Sequence, residues 1–158
     1  LVIHRHLLDQ GIRHRLVIVG DGPDRDFLPR LANALDIQDS VTFTGYQANP
    51  YPYMKRSKFL VNSSFTEGLP VIAMEALCLG IPVVSTVPSV GEAFGEEDCG
   101  LITDNSVTAL EEGIRKMLTD DTFYAKLKAG AENRSVFFDG KRMVKEIEDM
   151  FESLMETT

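Results

Sequence analysis

The most constraining feature of the chain is a helix signal that is bracketed at both ends and followed directly by a strand signal. Pro70 stands where this helix would begin and Gly80 where it would end, which is the favoured asymmetry of helix termini. The next residues, Ile81 to Ser85, form a short β-branched apolar run that is typical of a buried parallel strand. A helix that leads straight into such a strand predicts a layered α/β fold.

The same alternation of strand and helix signals continues over most of the chain. Strands are expected at about residues 15–20, 41–44, 58–62, 82–85 and 100–103. Helices are expected at about residues 1–10, 23–36, 50–56, 69–80, 106–119, 121–134 and 139–156. Right-handed connections between these strands predict a Rossmann-like, doubly wound, mainly parallel sheet with helices on both faces and a helical C-terminal tail.

Three loops are expected to meet at one edge of this sheet. Gly20, Gly45 and the segment from Ser63 to Glu67 each follow a predicted strand. In parallel sheets of this class, ligands bind beyond the carboxyl ends of the strands. The sequence therefore predicts that the three loops line one crevice.

The start of the bracketed helix suits an anionic group. Its backbone N–H groups around Gly68, Leu69 and Val71 favour a phosphate, and Gly68 permits a close approach to the main chain. Glu67 on the loop and Glu75 inside the helix are expected to face the same opening, because helical side chains lean toward the N-terminus. Two carboxylates would repel a phosphate, so we expect them to accept hydrogen bonds from hydroxyls. A site with hydrogen-bond donors for a phosphate and, beside them, acceptors for hydroxyls suits a nucleotide sugar.

The alternative for the two carboxylates is a pair of exposed acids around a helix start. Glu67 alone would fit that alternative, since acidic residues are common near a helix N-terminus. Glu75 would not, because apolar residues surround it in sequence and a buried charge needs a partner. We therefore interpret the pair as functional.

Several ordered motifs resemble those of a known family, the family-4-type retaining glycosyltransferases with the GT-B architecture, also called group 1 glycosyltransferases. The Glu-x7-Glu signature of that family is similar to the segments Glu67–Pro70, Glu75–Leu77, Gly80–Val84 and Gly100–Ile102. Two further landmarks are similar in order and spacing to Leu16–Pro23 and Val41–Gly45. The resemblance is strong from Leu16 to Ile102 and loose over the helical tail.

The resemblance implies a role for each matched residue. Glu75 would hold the ribose hydroxyls, and Glu67, the catalytic residue, would hold the hydroxyls of the transferred sugar. The backbone at Gly68, Leu69 and Pro70 would face the sugar and the diphosphate. Other substrate-binding residues would line the floor of the site or meet the base: Gly20, Gly22, Gly45, Tyr46 and Gln47.

The resemblance also implies what the whole enzyme does. It would transfer a sugar, with retention, from a nucleoside diphosphate sugar to an acceptor hydroxyl in bacterial cell-surface polysaccharide synthesis, with no metal and no other cofactor. Residues 1–158 would be the donor-binding domain. The acceptor-binding domain, the first strand of this domain and the basic residues that neutralise the diphosphate would be absent, so the isolated fragment is expected to be inactive. An acceptor sugar or lipid-linked glycan would bind through the missing domain.

Two other functions stay open. Another enzyme of the same architecture, such as a nucleotide-sugar epimerase, should carry additional titratable groups for proton abstraction. The other alternative is a non-catalytic nucleotide-binding domain. The sequence of the upstream half would distinguish a transferase from an epimerase. A titration with nucleoside diphosphates would show whether the domain binds a nucleotide at all.

Composition excludes some partners. A net charge of −8 and a pI near 4.8 argue against a nucleic-acid surface or direct contact with an anionic membrane. The longest apolar runs are far shorter than the roughly 20 residues of a membrane span. We expect a cytoplasmic protein that is at most peripheral at the inner face of the membrane. Its two cysteines, Cys78 and Cys99, are expected to be reduced, with Cys78 packed inside the sheet-covering helix.

Three rival motifs have ordinary explanations. The turn from Gly20 to Gly22 begins like a dinucleotide fingerprint but lacks its third glycine. Asp24 and Asp26 resemble a metal-binding pair, yet they lie where acidic residues favour the start of a helix. The histidines His4, His6 and His14 are expected on the surface, since their spacing does not suit a metal. The tyrosines of the loop after Gly45 fit either a base-binding role or packing on the sheet edge.

Overall fold

The computed structural model describes residues 1–65, 68 and 70–138 of the chain. Its helices are α1 (Val2–Asp9), α2 (Phe27–Ala34), α3 (Tyr51–Arg56), α4 (Val71–Cys78), α5 (Val90–Phe94), α6 (Val107–Thr119) and α7 (Asp121–Ser135). Its strands are β1 (Leu16–Ile18), β2 (Val41–Phe43), β3 (Leu60–Asn62), β4 (Val83–Ser85) and β5 (Gly100–Ile102). The helix predicted at about 139–156 lies outside the described residues.

Every strand pairing in this part of the chain is parallel. β1 pairs with β2, in a register that places Leu16 opposite Val41. β3, β4 and β5 form a second group in that order, with β4 at the centre. Helices separate successive strands, so the expected α/β class with a parallel sheet and flanking helices is confirmed.

The central strand β4 is buried on both faces. Val83 belongs to a core cluster with residues of α4, α5 and α7, whereas its neighbour Val84 packs in a second cluster with residues of α6 and α7. Successive side chains of a strand point to opposite faces, so a continuous β-branched run is what a strand covered twice requires. The run after Gly80 therefore has the environment that its composition predicts.

Helix α1 links the two groups of strands. Leu1 and Leu8 pack in the cluster around Ile37 and Val41, on the side of β1 and β2. Ile3 packs in the cluster around Val84, on the side of β4. By contrast, Val17 in β1 and Val61 in β3 are 47% and 36% exposed, although both lie at the middle of a strand.

Helix α4 begins and ends within two residues of the predicted range, 69–80. Pro70 is its N-cap, one residue outside the helix. At the other end, Gly80 has φ +65°. The N–H of Gly80 donates to the carbonyl oxygen of Leu77, and the N–H of Ile81 donates to the carbonyl oxygen of Ala76. This pair of bonds is the Schellman motif, which needs a left-handed residue at the Gly80 position.

The structure departs from the predicted elements at several points. Helix α2 begins at Phe27, after a turn that contains Asp24 and Asp26, and not at residue 23. Helix α5 was not predicted, because five residues are too few to show helical periodicity. Within the described ranges, no helix is long and apolar enough to cross a membrane.

The expected location of Cys78 is wrong. Cys78 is exposed, because it lies near the C-terminal end of α4 on the side away from the core. Cys99 is fully buried just before β5, and burial raises the pKa of its thiol to about 11.

His4 is buried and not on the surface, where the sequence placed it. Its Nδ1 lies 2.8 Å from Nε2 of His14, and its Nε2 lies 2.8 Å from the hydroxyl of Ser40. Burial and the neighbouring His14 lower the pKa of His4 to about 4. The geometry explains the second effect, since protonating both rings would place two hydrogens between nitrogens 2.8 Å apart.

We expect the His4 pair to make the protein acid-sensitive. The unfolded chain binds this proton near pH 6.5, whereas the folded chain binds it near pH 4, so the free energy of unfolding falls as the pH is lowered between those values. The loss should be about 3 kcal/mol. His4→Gln cannot titrate, so urea denaturation should show a variant that is less stable than wild type at pH 7 but closer to it at pH 4. An equal stability gap at both values would contradict this.

Helix α7 packs tightly on the chain just ahead of β5, at Gly130. A Cβ added there would lie 2.2 Å from the carbonyl oxygen of Asp98. Gly113 in α6 is also buried, but an added Cβ would meet only side-chain atoms, at 2.9 Å from Thr103 Cγ2 and 3.0 Å from Leu101 Cδ2. An added Cβ at Gly113 can therefore be accommodated by shifts of neighbouring side chains, whereas one at Gly130 would require the backbone to move.

Gly130→Ala should destabilise the protein, although alanine is the better helix former by about 1 kcal/mol. The clash with a backbone oxygen forces α7 away from the sheet, and we expect a net loss of about 2 kcal/mol. Gly113→Ala is the matched control and should stay within about 1 kcal/mol of wild type, since small side-chain shifts and the propensity gain offset each other. Urea denaturation of both variants measures this, and equal losses would refute the explanation.

Candidate functional site

The loops after β1 and β2 are hydrogen-bonded to each other at the carboxyl edge of the strands. The N–H of Gly20 donates to the carbonyl oxygen of Gly45 at 2.9 Å. Both glycines have positive φ, at +133° and +66°, so neither position suits a larger residue. The side chain of Gln47 donates to the carbonyl oxygen of Thr44 at 2.9 Å, which shapes the loop that follows. The structure thus brings Gly20 and Gly45 together as the sequence predicts.

The loops after β3 and β4 form a second connected group. The hydroxyl of Thr86 donates to the carbonyl oxygen of Ser64 at 2.8 Å, and the N–H of Ser64 donates to Oδ1 of Asn62 at 3.2 Å. The hydroxyl of Ser89 donates to the carbonyl oxygen of Gly68. These bonds attach the segment that leads into α4 to the ends of two neighbouring strands.

The start of α4 opens at this edge. The first helical bonds are those from the N–H groups of Ala73 and Met74 to the carbonyl oxygen of Pro70. The N–H groups of Val71 and Ile72 precede them and have no acceptor inside the helix, which is the property that favours an anion. Both side chains are exposed, at 66% and 42%, whereas Pro70 is fully buried.

Glu75 lies one turn inside α4 and is half-buried. Its Oε1 accepts a hydrogen bond from the hydroxyl of Tyr51 at 3.0 Å. This bond, with the charge of the carboxylate, raises the pKa of Tyr51. The sequence predicts that a partly buried Glu75 needs a partner, and the tyrosine supplies a neutral one. Within the described part of the chain, the second oxygen of Glu75 has no hydrogen-bond partner, so it is available to a ligand.

Tyr51 joins the two groups of loops. It stands at the first position of α3, after β2, while Glu75 belongs to α4, after β3. The sequence identified Tyr51 only as one of several tyrosines that could flank a base or pack on an edge. The sequence does indicate that Glu75 needs a polar partner. Its spacing does not show that the partner is the hydroxyl of Tyr51.

The remaining predicted site residues fall into two classes. Gly22 and Tyr46 are exposed, and the N–H of Gly22 donates to the side chain of Asp21 at 2.9 Å, which closes the turn after β1. Glu67 and Leu69 lie outside the described residues, so their roles stay predictions.

Two of the three acidic residues ahead of α2, Asp21 and Asp26, form surface ion pairs. Arg25 lies 3.2 Å from a carboxylate oxygen of Asp21 and 3.8 Å from one of Asp26. Among the residues whose positions are described, no three histidine, cysteine, aspartate or glutamate side chains gather in a way that could hold a metal ion.

Comparison with known proteins shows which family the chain resembles. The family model described as "Glycosyl transferases group 1" matches residues 4–134. The chain is 30% identical, over 135 residues, to N-acetylgalactosamine-N,N'-diacetylbacillosaminyl-diphospho-undecaprenol 4-alpha-N-acetylgalactosaminyltransferase of Campylobacter jejuni, covering 84% of this chain and 37% of that protein. It is 28% identical, over 141 residues, to the lipopolysaccharide core biosynthesis glycosyltransferase LpsD of Rhizobium meliloti, covering 87% and 41%.

Solved structures agree on the fold. The crystal structure of Anabaena Alr3699/HepE in complex with UDP superimposes with a TM-score of 0.74 at 21% identity, over 96% of this chain and 44% of that one. The chain spans less than half the length of the relatives and of this structure.

Proposed function

Because the chain belongs to the group 1 glycosyl transferases, we propose that it is the donor-binding part of an enzyme that transfers a sugar from a nucleoside diphosphate sugar to an acceptor hydroxyl. Retention at the anomeric carbon is consistent with this family. The named relatives act in glycan and lipopolysaccharide synthesis, which supports a role in bacterial cell-surface polysaccharide synthesis.

The observation that carries the proposal is the position of Glu75. It is a half-buried carboxylate, one turn behind the open start of a helix, at the carboxyl edge of a parallel sheet. The N–H groups of Val71 and Ile72 suit a diphosphate, and the free oxygen of Glu75 suits the vicinal hydroxyls of a ribose. A ligand that carries a diphosphate beside vicinal hydroxyls is a nucleoside diphosphate.

Catalysis in this design is electrostatic. The start of α4 stabilises negative charge as it develops on the leaving diphosphate, and Glu67 on the preceding segment would hold the hydroxyls of the transferred sugar. We propose that no metal takes part, because the helix start and the upstream basic residues supply the positive potential. The acceptor, a sugar or lipid-linked glycan, would bind through a second domain.

The arrangement of strands supports the proposal that this is one half of a two-domain enzyme and that its sheet takes one more strand. In the doubly wound order 3-2-1-4-5-6, the first strand lies at the centre. The observed orders β2-β1 and β3-β4-β5 are the ones that this arrangement has on either side of its first strand. The exposed Val17 and Val61 lie on the two strands that would flank it.

We also propose a location. One relative is named for a substrate carried on diphospho-undecaprenol, and another for lipopolysaccharide core biosynthesis. A domain with a net charge of −8 does not suit an anionic membrane surface. The enzyme would therefore be cytoplasmic and reach the inner face of the membrane through its other domain.

Replacing the charge of Glu75 should weaken binding of a nucleoside diphosphate. If the carboxylate accepts ribose hydroxyls, Glu75→Gln should cost about 1.5–3 kcal/mol, the range for hydrogen bonds to a charged group. Calorimetric titration of the 158-residue chain with the uridine, guanosine and adenosine diphosphates, in the presence of EDTA, measures this.

The matched control is Glu96→Gln. Glu96 is exposed in the loop before β5, at the amino ends of the strands and thus at the opposite edge of the sheet. The affinity of the Glu96→Gln variant for each nucleoside diphosphate should equal that of wild type. The absence of binding to all three nucleotides, or binding only when magnesium or manganese is added, would refute the proposed function.

Glu67 should act on the sugar and not on the nucleotide. In the whole enzyme, Glu67→Ala should lower turnover strongly while the affinity for the free nucleoside diphosphate changes by less than about threefold, because an interaction with the reacting sugar is expressed in the rate. Steady-state kinetics and calorimetry on the same preparation test this. A loss of nucleotide affinity as large as that of Glu75→Gln would show that the two roles are assigned wrongly.

A further inference from the structure

The hydrogen bond between Tyr51 and Glu75 is not explained by stability. Tyr51 is 44% exposed, and the bond itself lies at the surface. Exposed polar interactions of this kind contribute little to folding, because water competes for both partners. A contact that adds little stability but joins two separate groups of loops invites a functional explanation.

The position of Tyr51 is fixed from its own side of the site. Its N–H donates to the side chain of Asn49 at 3.2 Å, which sets the start of α3. Met54, one turn later, is buried and anchors the helix to the core. The phenol therefore approaches Glu75 from a helix whose start and inner face are both held in place.

Glu75, by contrast, has three side-chain torsions and a half-buried location. Without a fixed partner its carboxylate would sample several rotamers, and a ligand would have to order it on binding at an entropic cost. A hydroxyl that holds one carboxylate oxygen removes most of that freedom in advance. The other oxygen then has a defined direction.

We propose that Tyr51 is a positioning residue for the donor site: its hydroxyl holds Oε1 of Glu75 so that Oε2 is presented to the ribose hydroxyls of the nucleoside diphosphate. This inference rests on the proposed function of Glu75. Tyr51 touches neither the reacting atoms nor, in this scheme, the nucleotide, and it acts through the carboxylate alone.

The electrostatics of the pair agree with this role. The bond to Glu75 is the largest cause of the raised pKa of Tyr51, followed by the charge of the same carboxylate. Cys78, one turn further along α4, contributes in the same direction to a smaller extent. Tyr51 therefore remains a protonated donor throughout the physiological range.

The test compares Tyr51→Phe with Tyr53→Phe. Tyr53 lies two residues along α3, is similarly exposed at 37%, and has a different direction on the helix, so it is a matched control. Calorimetric titration of the 158-residue chain with uridine diphosphate should show about three- to tenfold weaker binding for Tyr51→Phe, the range for losing one hydrogen bond. Tyr53→Phe should stay within about twofold of wild type, and thermal melts of both should match wild type.

A double mutant separates positioning from direct contact. In a Glu75→Ala background, Tyr51→Phe should change the affinity by less than about twofold, because the group that it orients is gone. An undiminished effect there would mean that Tyr51 contacts the nucleotide itself and would overturn the inference.

The Cζ resonance of Tyr51 gives its pKa, which reports whether the hydrogen bond to Glu75 persists when the nucleotide binds. The pKa of Tyr51 should be higher in wild type than in Glu75→Ala, and it should stay raised with uridine diphosphate bound. Wild-type binding combined with an unaffected Tyr51→Phe would overturn the inference alone. Failure of the wild type to bind any nucleoside diphosphate would overturn the proposed function, and the inference with it.

Discussion

Parallel pairing is the constraint on which the rest of this structure depends. Because β1 runs parallel to β2, and β3 to β4 and β5, each strand presents its carboxyl end at the same edge of its group. Each strand must then be followed by a crossover, and the helices that supply these crossovers cover both faces of β4. Loops that are far apart in sequence are thus brought to the same edge by the strand pairing itself.

The two hydrogen-bonded groups of loops divide the work of the proposed site. The Gly20–Gly45 pair is held by main-chain bonds and offers positions that only glycine suits, which leaves room for a ligand. The group around Ser64, Thr86 and Ser89 uses side-chain hydroxyls and determines where α4 begins. The bond from Tyr51 to Glu75 connects the first group to the second, beside the proposed nucleoside site.

Local chemistry made much of this predictable. Pro70 and Gly80 identified the ends of α4, because one residue lacks an N–H and the other adopts a left-handed backbone. The β-branched run after it identified a strand buried on both faces. Glu75 was predicted to need a partner, since its neighbours are apolar.

What the sequence did not predict depends on long-range geometry. The partner of Glu75 is 24 residues away, and the partners of His4 are 10 and 36 residues away, so no periodic pattern relates them. Cys78 shows a different limitation. Apolar residues occur all round α4, so periodicity does not reveal which face is exposed.

The exposed valines at the middle of β1 and β3 have a consequence for handling the protein in solution. A strand edge with free main-chain groups and an apolar side chain is a template for pairing with any extended segment, including one from another copy. Pairing of that kind joins two molecules, so it competes with the intramolecular fold and grows with protein concentration. A dilute solution therefore favours the monomer, and anything that covers the edges of β1 and β3 favours it further.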